Sequence, residues 1–168
     1  MKIVANYAKD IRQLAEAQRN ALVITTASVG HVLSYYGHNI WYFSPLIHTK
    51  GTPEHVRKID FSSLRFKDGS CLTDSQHSLL LAGVKALLYV RLTVNSPQSG
   101  KPLGGSSIIT LWKQNLRPLL RWMVDAGHPF FDDLSPEACQ AYVAHSCATQ
   151  GRKRNRLSAR TLNARFAC

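Results

Sequence analysis

The chain of 168 residues is long enough for one ordinary domain, or for one compact domain with an appendage, and is short for two full domains. Its side chains are 45% hydrophobic and 18% charged, a composition that is typical of a folded protein and excludes an intrinsically disordered chain. The 21 Lys and Arg residues against 10 Asp and Glu give a net charge of +11, which favours a phosphate-rich partner, above all nucleic acid.

Cysteine usage and hydropathy indicate a reducing compartment. The four cysteines are too few and too widely spaced for a disulfide scaffold, and we expect Cys139 and Cys147 to be small buried side chains on a helix. The chain lacks an apolar run that could span a bilayer, and its first ten residues lack the apolar stretch of a signal peptide. The sequence therefore predicts a cytoplasmic, nucleoid-associated protein with no metal, cofactor, membrane partner or small-molecule substrate.

The first 70 residues predict an extension of mixed structure. Residues 6–20 place Ile11 and Leu14 at helical spacing, which predicts a short amphipathic helix or, alternatively, a flexible arm. Residues 36–66 are rich in aromatic residues, Gly and Pro, and they predict short extended segments and turns. Within them, we expect residues 40–43 to form a satellite apolar cluster.

From Thr73 onward the pattern becomes helical. Either Thr73 or Asp74 is the expected cap of a first helix, which should end near Asn95 at a run of Gly, Pro and Ser. Its apolar residues recur at helical spacing and predict a well-buried helix: Leu79, Leu80, Val84, Leu87, Leu88 and Leu92.

A second helix is predicted from Ser106 or Ser107 to Gly127, with Pro118 expected to kink it or to remove one backbone hydrogen bond. Its apolar stripe consists of Ile109, Trp112, Leu116, Leu119, Leu120 and Met123. On another face, basic side chains recur at four-residue intervals: Lys113, Arg117 and Arg121. This basic stripe is either a DNA-binding face or a solvated helix face, whereas Trp112 and Trp122 are expected in the core.

A third helix begins where Ser135 caps, Pro136 takes the first helical position and Glu137 follows in the first turn. Its inward-facing residues are predicted to be Leu134, Ala138, Ala141 and Tyr142. After a basic loop, a fourth helix opens at Ser158. No carboxylate side chain follows Glu137, whereas six cations do, so this stretch is either solvated or meets an external polyanion.

The order of these motifs resembles one protein family. The string LRPLLRWMVDAGHPFFDDLSPEACQAYVAHS, followed by LSARTLNAR, is similar to the core-binding domain of tyrosine recombinases and phage integrases. The upstream IDFSSL and KALLYVRL segments are also similar to the first part of such domains. The matching residues are Leu116, Leu120, Trp122 or Met123, Leu134, Ser135, Pro136, Glu137, Tyr142, Leu157, Ser158, Thr161, Leu162, Asn163 and Arg165.

The resemblance implies a mainly α fold: a four-helix core-binding (SAM-like) bundle over residues 71–168, with its last helix truncated, and an irregular α+β extension over residues 1–70. Such a bundle grips duplex DNA with its second and fourth helices, across the DNA from a catalytic domain. Cations, hydroxyl groups and a helix N-terminus suit phosphate, and an amide can reach a base edge. The expected DNA-binding residues are Lys113, Arg117, Arg121, Arg152, Lys153, Arg154, Arg156, Ser158, Arg160, Thr161, Asn163 and Arg165.

Catalysis in that family needs Arg, Lys, His and a nucleophilic Tyr from a downstream domain, and none of these follows Cys168. We therefore expect no enzyme, but the DNA-binding module of a truncated or split recombinase that acts in DNA recombination and integration. Two alternatives stay open. One is an interaction or regulatory module that docks on other recombinase subunits, suggested by Leu162 and Phe166 in the last helix. The other is a nonfunctional gene fragment.

Overall fold

The computed structural model describes residues 2–47, 53–95, 100–131 and 134–148, without the side chains of residues 2–6, 9 and 55. The described chain is mainly helical, with two small antiparallel sheets in its N-terminal part, so the coarse prediction of a mainly α fold is confirmed. Among the described helices, none combines the length and the apolar character that a membrane crossing requires.

Two helices form the start of the chain: α1 (Lys2–Gln13) and α2 (Glu16–Asn20). The predicted helical character of residues 6–20 is confirmed except at Leu14 and Ala15, which leave the helical conformation, are exposed and divide the stretch into two helices. The guanidinium of Arg19 reaches back across this break and donates a hydrogen bond to the Arg12 carbonyl, 3.0 Å away.

Four short strands follow, in two antiparallel pairs: β1 (Val23–Thr26) with β2 (Val32–Tyr35), and β3 (Ile40–Tyr42) with β4 (Lys58–Asp60). The predicted extended segments within residues 36–66 are confirmed by β3 and β4, whereas β1 and β2 were not predicted. Buried hydroxyl groups join the two sheets. The Thr25 hydroxyl donates to the Tyr42 carbonyl at 2.6 Å, and the Tyr42 N–H donates to the Ser34 hydroxyl at 2.8 Å.

A row of aromatic rings links the strands to the helices. Tyr36, Trp41, Phe61 and Trp112 follow one another with centroid separations of 5.8, 5.1 and 5.2 Å. The separations and tilted or edge-on angles of these pairs are those that aromatic rings favour. The prediction that residues 40–43 form a satellite cluster is wrong, because Trp41 is fully buried in the main core.

Helix α3 (Ser78–Thr93) follows a 3-10 turn and ends where the sequence predicted. The predicted cap at Thr73 or Asp74 is wrong: the Asp74 carboxylate accepts a hydrogen bond from the Cys71 N–H at 2.7 Å and does not cap α3. Most of the predicted apolar residues face the core, but Leu79 is 62% exposed. Helix α1 packs along α3.

The predicted second helix is one rod whose hydrogen-bonding pattern changes along its length: α4 (Gly105–Thr110), a π-helical segment (Leu111–Leu116) and α5 (Arg117–Asp125). Pro118 lies in the first turn of α5, directly after the π segment. Since proline lacks an N–H and its ring crowds the carbonyl four residues earlier, a widened turn before it avoids the clash. The predicted disturbance at Pro118 is confirmed, as is the buried stripe of Trp112, Leu116, Leu120 and Met123.

Helix α6 (Pro136–Ala148) begins as predicted, because the Ser135 hydroxyl accepts a hydrogen bond from the Ala138 N–H at 3.2 Å. Ala138 and Tyr142 are buried, but Ala141 is exposed, contrary to the prediction.

The two cysteines of α6 correct another prediction. Cys139 and Cys147 are exposed rather than buried, because they lie beside the face that Ala138 and Tyr142 turn toward the core. Their eight-residue spacing places both on one helix face, as expected, but that face is in water.

One apolar core contains residues from both sides of residue 70, among them Ile59 and Leu88. The predicted division into an extension over residues 1–70 and a helical domain over residues 71–168 stays a prediction. The predicted fourth helix from Ser158 lies outside the described residues.

Candidate nucleic-acid interface

A short segment between β4 and α3 presents two basic side chains on one side. Leu64 and Phe66 are buried, whereas Arg65 and Lys67 are exposed. Alternation with a period of two is expected of extended backbone, in which successive side chains point to opposite faces. Arg65 also forms an antiparallel β-bridge with Cys71. The core therefore anchors one side of this segment and directs both cations into solvent.

A hydrogen-bonded turn follows Lys67. The Ser70 hydroxyl donates to the Asp68 carboxylate at 2.6 Å and lies 2.9 Å from Nε2 of His77, whose ring packs 4.5 Å from that of Phe66. The hydrogen bonds from Ser70 hold the pKa of Asp68 below its usual value. Serine lies between the acid and the histidine here, whereas a catalytic triad places the histidine in the middle. The network fixes the turn that carries Lys67.

Arg117 connects α5 to the basic segment. Its guanidinium donates a hydrogen bond to the Ser63 carbonyl at 3.1 Å and lies 5.9 Å from the centroid of the Trp112 ring. Burial lowers the pKa of Arg117, the charge of Arg121 lowers it further, and Asp60 opposes both effects. A guanidinium so perturbed stays protonated at neutral pH. Arg117 therefore keeps a positive charge whose position is fixed by two contacts.

Arg121 lies one turn further along α5, and its Nε donates a long hydrogen bond, 3.5 Å, to the Arg65 carbonyl. Lys113 lies one turn before Arg117 and is exposed. Carbonyl oxygens carry no net charge, so the hydrogen bonds of the two arginines orient the guanidinium groups and leave their charges intact.

We define the basic face as the five cations that these two segments supply: Arg65, Lys67, Lys113, Arg117 and Arg121. Two carboxylates act on it among the described residues: Asp125 at the end of α5 pairs with Lys67 at 2.6 Å, and the charge of Asp60 acts on Arg117. The Lys67 side chain is 84% exposed, and an exposed ion pair of this kind contributes little stability. The basic face therefore keeps an excess of positive charge.

The structure locates three of the predicted DNA-binding residues, Lys113, Arg117 and Arg121, and brings them together on one rod. The other nine lie outside the described residues: Arg152, Lys153, Arg154, Arg156, Ser158, Arg160, Thr161, Asn163 and Arg165. Trp112 and Trp122 are 1% and 8% exposed, which confirms that they belong to the core.

Arg65 and Lys67 were missed by the sequence reasoning. The signal was present in the string LRFKD, where charged and apolar residues alternate as in a half-buried strand. Nothing local relates this string to α5, because the hydrogen bonds that join them span 54 and 56 residues.

Comparison with known proteins identifies no relative: no protein-family model matches the chain, and no curated protein or solved structure matches it significantly. In the described part of the chain, no three His, Cys, Asp or Glu side chains form a group that could hold a metal ion. The chemistry that the basic face offers is the binding of a polyanion by hydrogen-bonded guanidinium groups and exposed ammonium groups.

Proposed function

We propose that this chain binds duplex DNA, mainly through its phosphates, as the DNA-binding module of a tyrosine recombinase (integrase) type of protein. One observation supports this proposal above the others. Arg117 and Arg121 of α5 are tied to the carbonyls of Ser63 and Arg65, so that two remote segments present their cations on one surface.

The geometry favours phosphate as the ligand. A guanidinium that is already oriented loses less conformational freedom on binding than a free side chain does, and its remaining N–H groups match the oxygens of a phosphate. Arg65 and Lys67 add charges that can adjust to the path of a nucleic-acid backbone. Since contacts of this kind read no base, the basic face should bind DNA with little sequence preference.

The resemblance supports the role in recombination and integration. In the core-binding domain of tyrosine recombinases, a four-helix SAM-like bundle grips DNA with its second and fourth helices, and in this proposal α4 to α5 takes the place of the second helix. The segment from Arg152 to Arg165 would supply the second grip, with Asn163 able to reach a base edge. Other recombinase subunits are the proposed protein partners.

The test is a titration of a fluorescent duplex with the full chain, at several salt concentrations, followed by anisotropy. The double variant Arg65→Gln/Lys113→Gln should make the slope of log K against log[salt] shallower by about 0.9 for each phosphate that is no longer neutralised, or about 1.8 in all. The control, Arg12→Gln/Arg19→Gln, removes the same charge from the N-terminal helices and should leave the slope near that of the parent.

A second variant tests the C-terminal cations. Replacing Arg152, Lys153, Arg154 and Arg156 by Ala should weaken binding and reduce the slope further. A parent protein whose DNA affinity does not change with salt would overturn the proposal. In that case, capture of recombinase subunits that resists nuclease treatment would support the interaction module instead.

A further inference from the structure

A stretch of thirty residues, from 20 to 49, contains no Lys, Arg, Asp or Glu, although such residues make up 18% of the whole chain. The described part of this stretch forms β1, β2, β3 and the turns that connect them. It holds four of the nine large apolar side chains that are exposed in the described part of the chain: Val23, Val29, Tyr35 and Leu46. Exposed apolar surface that is depleted of charge is typical of the centre of a protein–protein interface.

The turn between β1 and β2 presents one of these side chains in water. The Ala27 N–H donates a hydrogen bond to the His31 carbonyl at 2.8 Å, and the Gly30 N–H donates to the Ala27 carbonyl at 2.9 Å. Gly30 has a φ of +92°, which glycine adopts without the strain that a side chain would cause. Val29 lies within this hydrogen-bonded turn and is 81% exposed. We call Val29 the apolar tip of the hairpin.

A second apolar site lies at the other end of the hairpin. Val23 and Tyr35 are paired across the two strands, and both are exposed. Side chains that are directly opposite on an antiparallel pair are close enough to interact, so the two form one site, which we call the apolar base. The Tyr35 ring packs edge-on against that of His38, with 5.4 Å between centroids. Four residues of strand, or about 13 Å, separate the apolar base from the turn that carries the apolar tip.

The absence of charge on the hairpin restricts the kind of partner. Nucleic acids and anionic membranes are bound through cations, which the hairpin lacks. Two cations border the stretch in the structure, and each has its own contact: Arg19 donates to the Arg12 carbonyl, and Lys58 lies 5.9 Å from the centroid of the Tyr42 ring. Two copies of a chain with a net charge of +11 repel each other. A second copy can therefore approach most closely where both surfaces are uncharged.

We propose that the hairpin of β1 and β2 is the interface of a homodimer, in which the apolar tip of each copy packs on the apolar base of the other. A two-fold axis makes such contacts reciprocal: Val29 of each copy meets Tyr35 of the second copy. Because one hairpin buries little surface, the dimer is weak and dissociates on dilution. This inference does not depend on DNA binding.

The test is sedimentation equilibrium of the full, nuclease-treated chain at several protein and salt concentrations. The parent should show a monomer–dimer equilibrium that salt strengthens, because salt screens the repulsion between the two copies. A pair bridged by residual nucleic acid would weaken with salt instead. Val29→Lys and Tyr35→Glu should each weaken the dimer at least about 10-fold. The matched controls Val143→Lys and Tyr7→Glu make the same changes at exposed positions outside the hairpin and should dimerise as the parent does.

A mixing experiment tests the reciprocal contact. With one protein fluorescently labelled, Val29→Lys should bind Tyr35→Glu more tightly than it binds the parent, because lysine then faces glutamate while the second contact stays native. If each tip met the other tip, the same pair would have two altered contacts and would bind more weakly than Val29→Lys binds the parent.

Four results would each overturn the proposal. They are a parent that stays monomeric at every concentration, a parent dimer that salt weakens, hairpin variants that dimerise as tightly as the parent, and weaker binding of Val29→Lys to Tyr35→Glu than to the parent. Urea denaturation verifies that each variant is folded. The DNA titrations use other residues, so either proposal can fail alone.

Discussion

The guanidinium of Arg117 is bound to the carbonyl of Ser63, a residue 54 positions away in sequence, at 3.1 Å. The same guanidinium lies over the ring of Trp112, which belongs to the buried aromatic row. One cation of the basic face is thus fixed from both sides, by the segment that carries Arg65 and by the core.

Replacing Arg117 by Met should therefore affect stability as well as DNA binding. Loss of the hydrogen bond and of the cation–π contact should lower the free energy of unfolding by about 1 kcal/mol, measured by urea denaturation. The matched control is Lys113→Met, which removes the same charge from an exposed position and should change stability by less than about 0.5 kcal/mol. Equal losses of stability in the two variants would show that the contacts of Arg117 contribute nothing.

Asp125 is expected to weaken DNA binding, because it pairs with Lys67 and places a negative charge beside the basic face. The variant Asp125→Asn should raise the affinity for duplex DNA by about 3- to 5-fold at moderate salt, a gain of about 1 kcal/mol. Anisotropy titration measures it. Asp10→Asn makes the same change of net charge on α1, and an equal gain in that variant would mean that only the total charge matters.

The sequence predicted the features that depend on local chemistry. Ser135 and Pro136 mark the start of α6 because capping and the first helical turn involve neighbouring residues only. The disturbance at Pro118 follows in the same way from the missing N–H of proline. Leu14 shows the limit of such reasoning. Its spacing from Ile11 fits a continuous helix, but α1 ends at Gln13 and α2 begins only at Glu16.

The features that sequence reasoning missed depend on contacts between remote residues. The side chains of Thr25 and Ser34 hold β1 and β2 against the second sheet, and neither strand is long enough to show a clear period-two pattern. Arg65 belongs to the candidate site only because Arg121 reaches its carbonyl from another element. All twelve predicted DNA-binding residues stay predictions, and nine of them lie outside the described part of the chain.

Lys85 gives stability a defined pH dependence. Its ammonium group, 6% exposed, donates to the Gly37 carbonyl at 3.2 Å, and burial, together with the charge of Arg19, lowers its pKa from 10.5 to about 8. Between these values the unfolded chain holds a proton that the folded chain has released, so stability should rise as pH increases from about 8 toward 10.5. The total rise is at most about 3 kcal/mol.

The variant Lys85→Met should be more stable than the parent near pH 7, and should lose this rise between pH 8 and 10, as measured by urea denaturation at each pH. Tyr36 sets the upper limit of the useful range. Burial raises the pKa of Tyr36 to about 12, so its contribution to stability is lost as pH rises from about 10 through 12. Parallel curves for Lys85→Met and the parent would contradict the assignment.

Gly83 and Phe131 are expected to show coupled effects. In the parent background, Gly83→Ala should destabilise the protein by about 1 kcal/mol, because displacing the Phe131 ring outweighs the gain in helix propensity. In a Phe131→Ala background the ring is gone, and the same substitution should stabilise by about 1 kcal/mol. A double-mutant cycle from thermal or urea unfolding measures this reversal of sign, and additive effects would exclude the contact.

The aromatic row from Tyr36 to Trp112 limits how the chain can be cut. A cleavage near residue 70 leaves the indole of Trp112 in one fragment and the ring of Phe61, on which it packs, in the other. Each fragment then exposes apolar surface that is buried in the intact chain, and each should aggregate when it is alone. When the two fragments are mixed during refolding, we expect them to pack together again and to remain in solution, as complementary fragments of one folding unit.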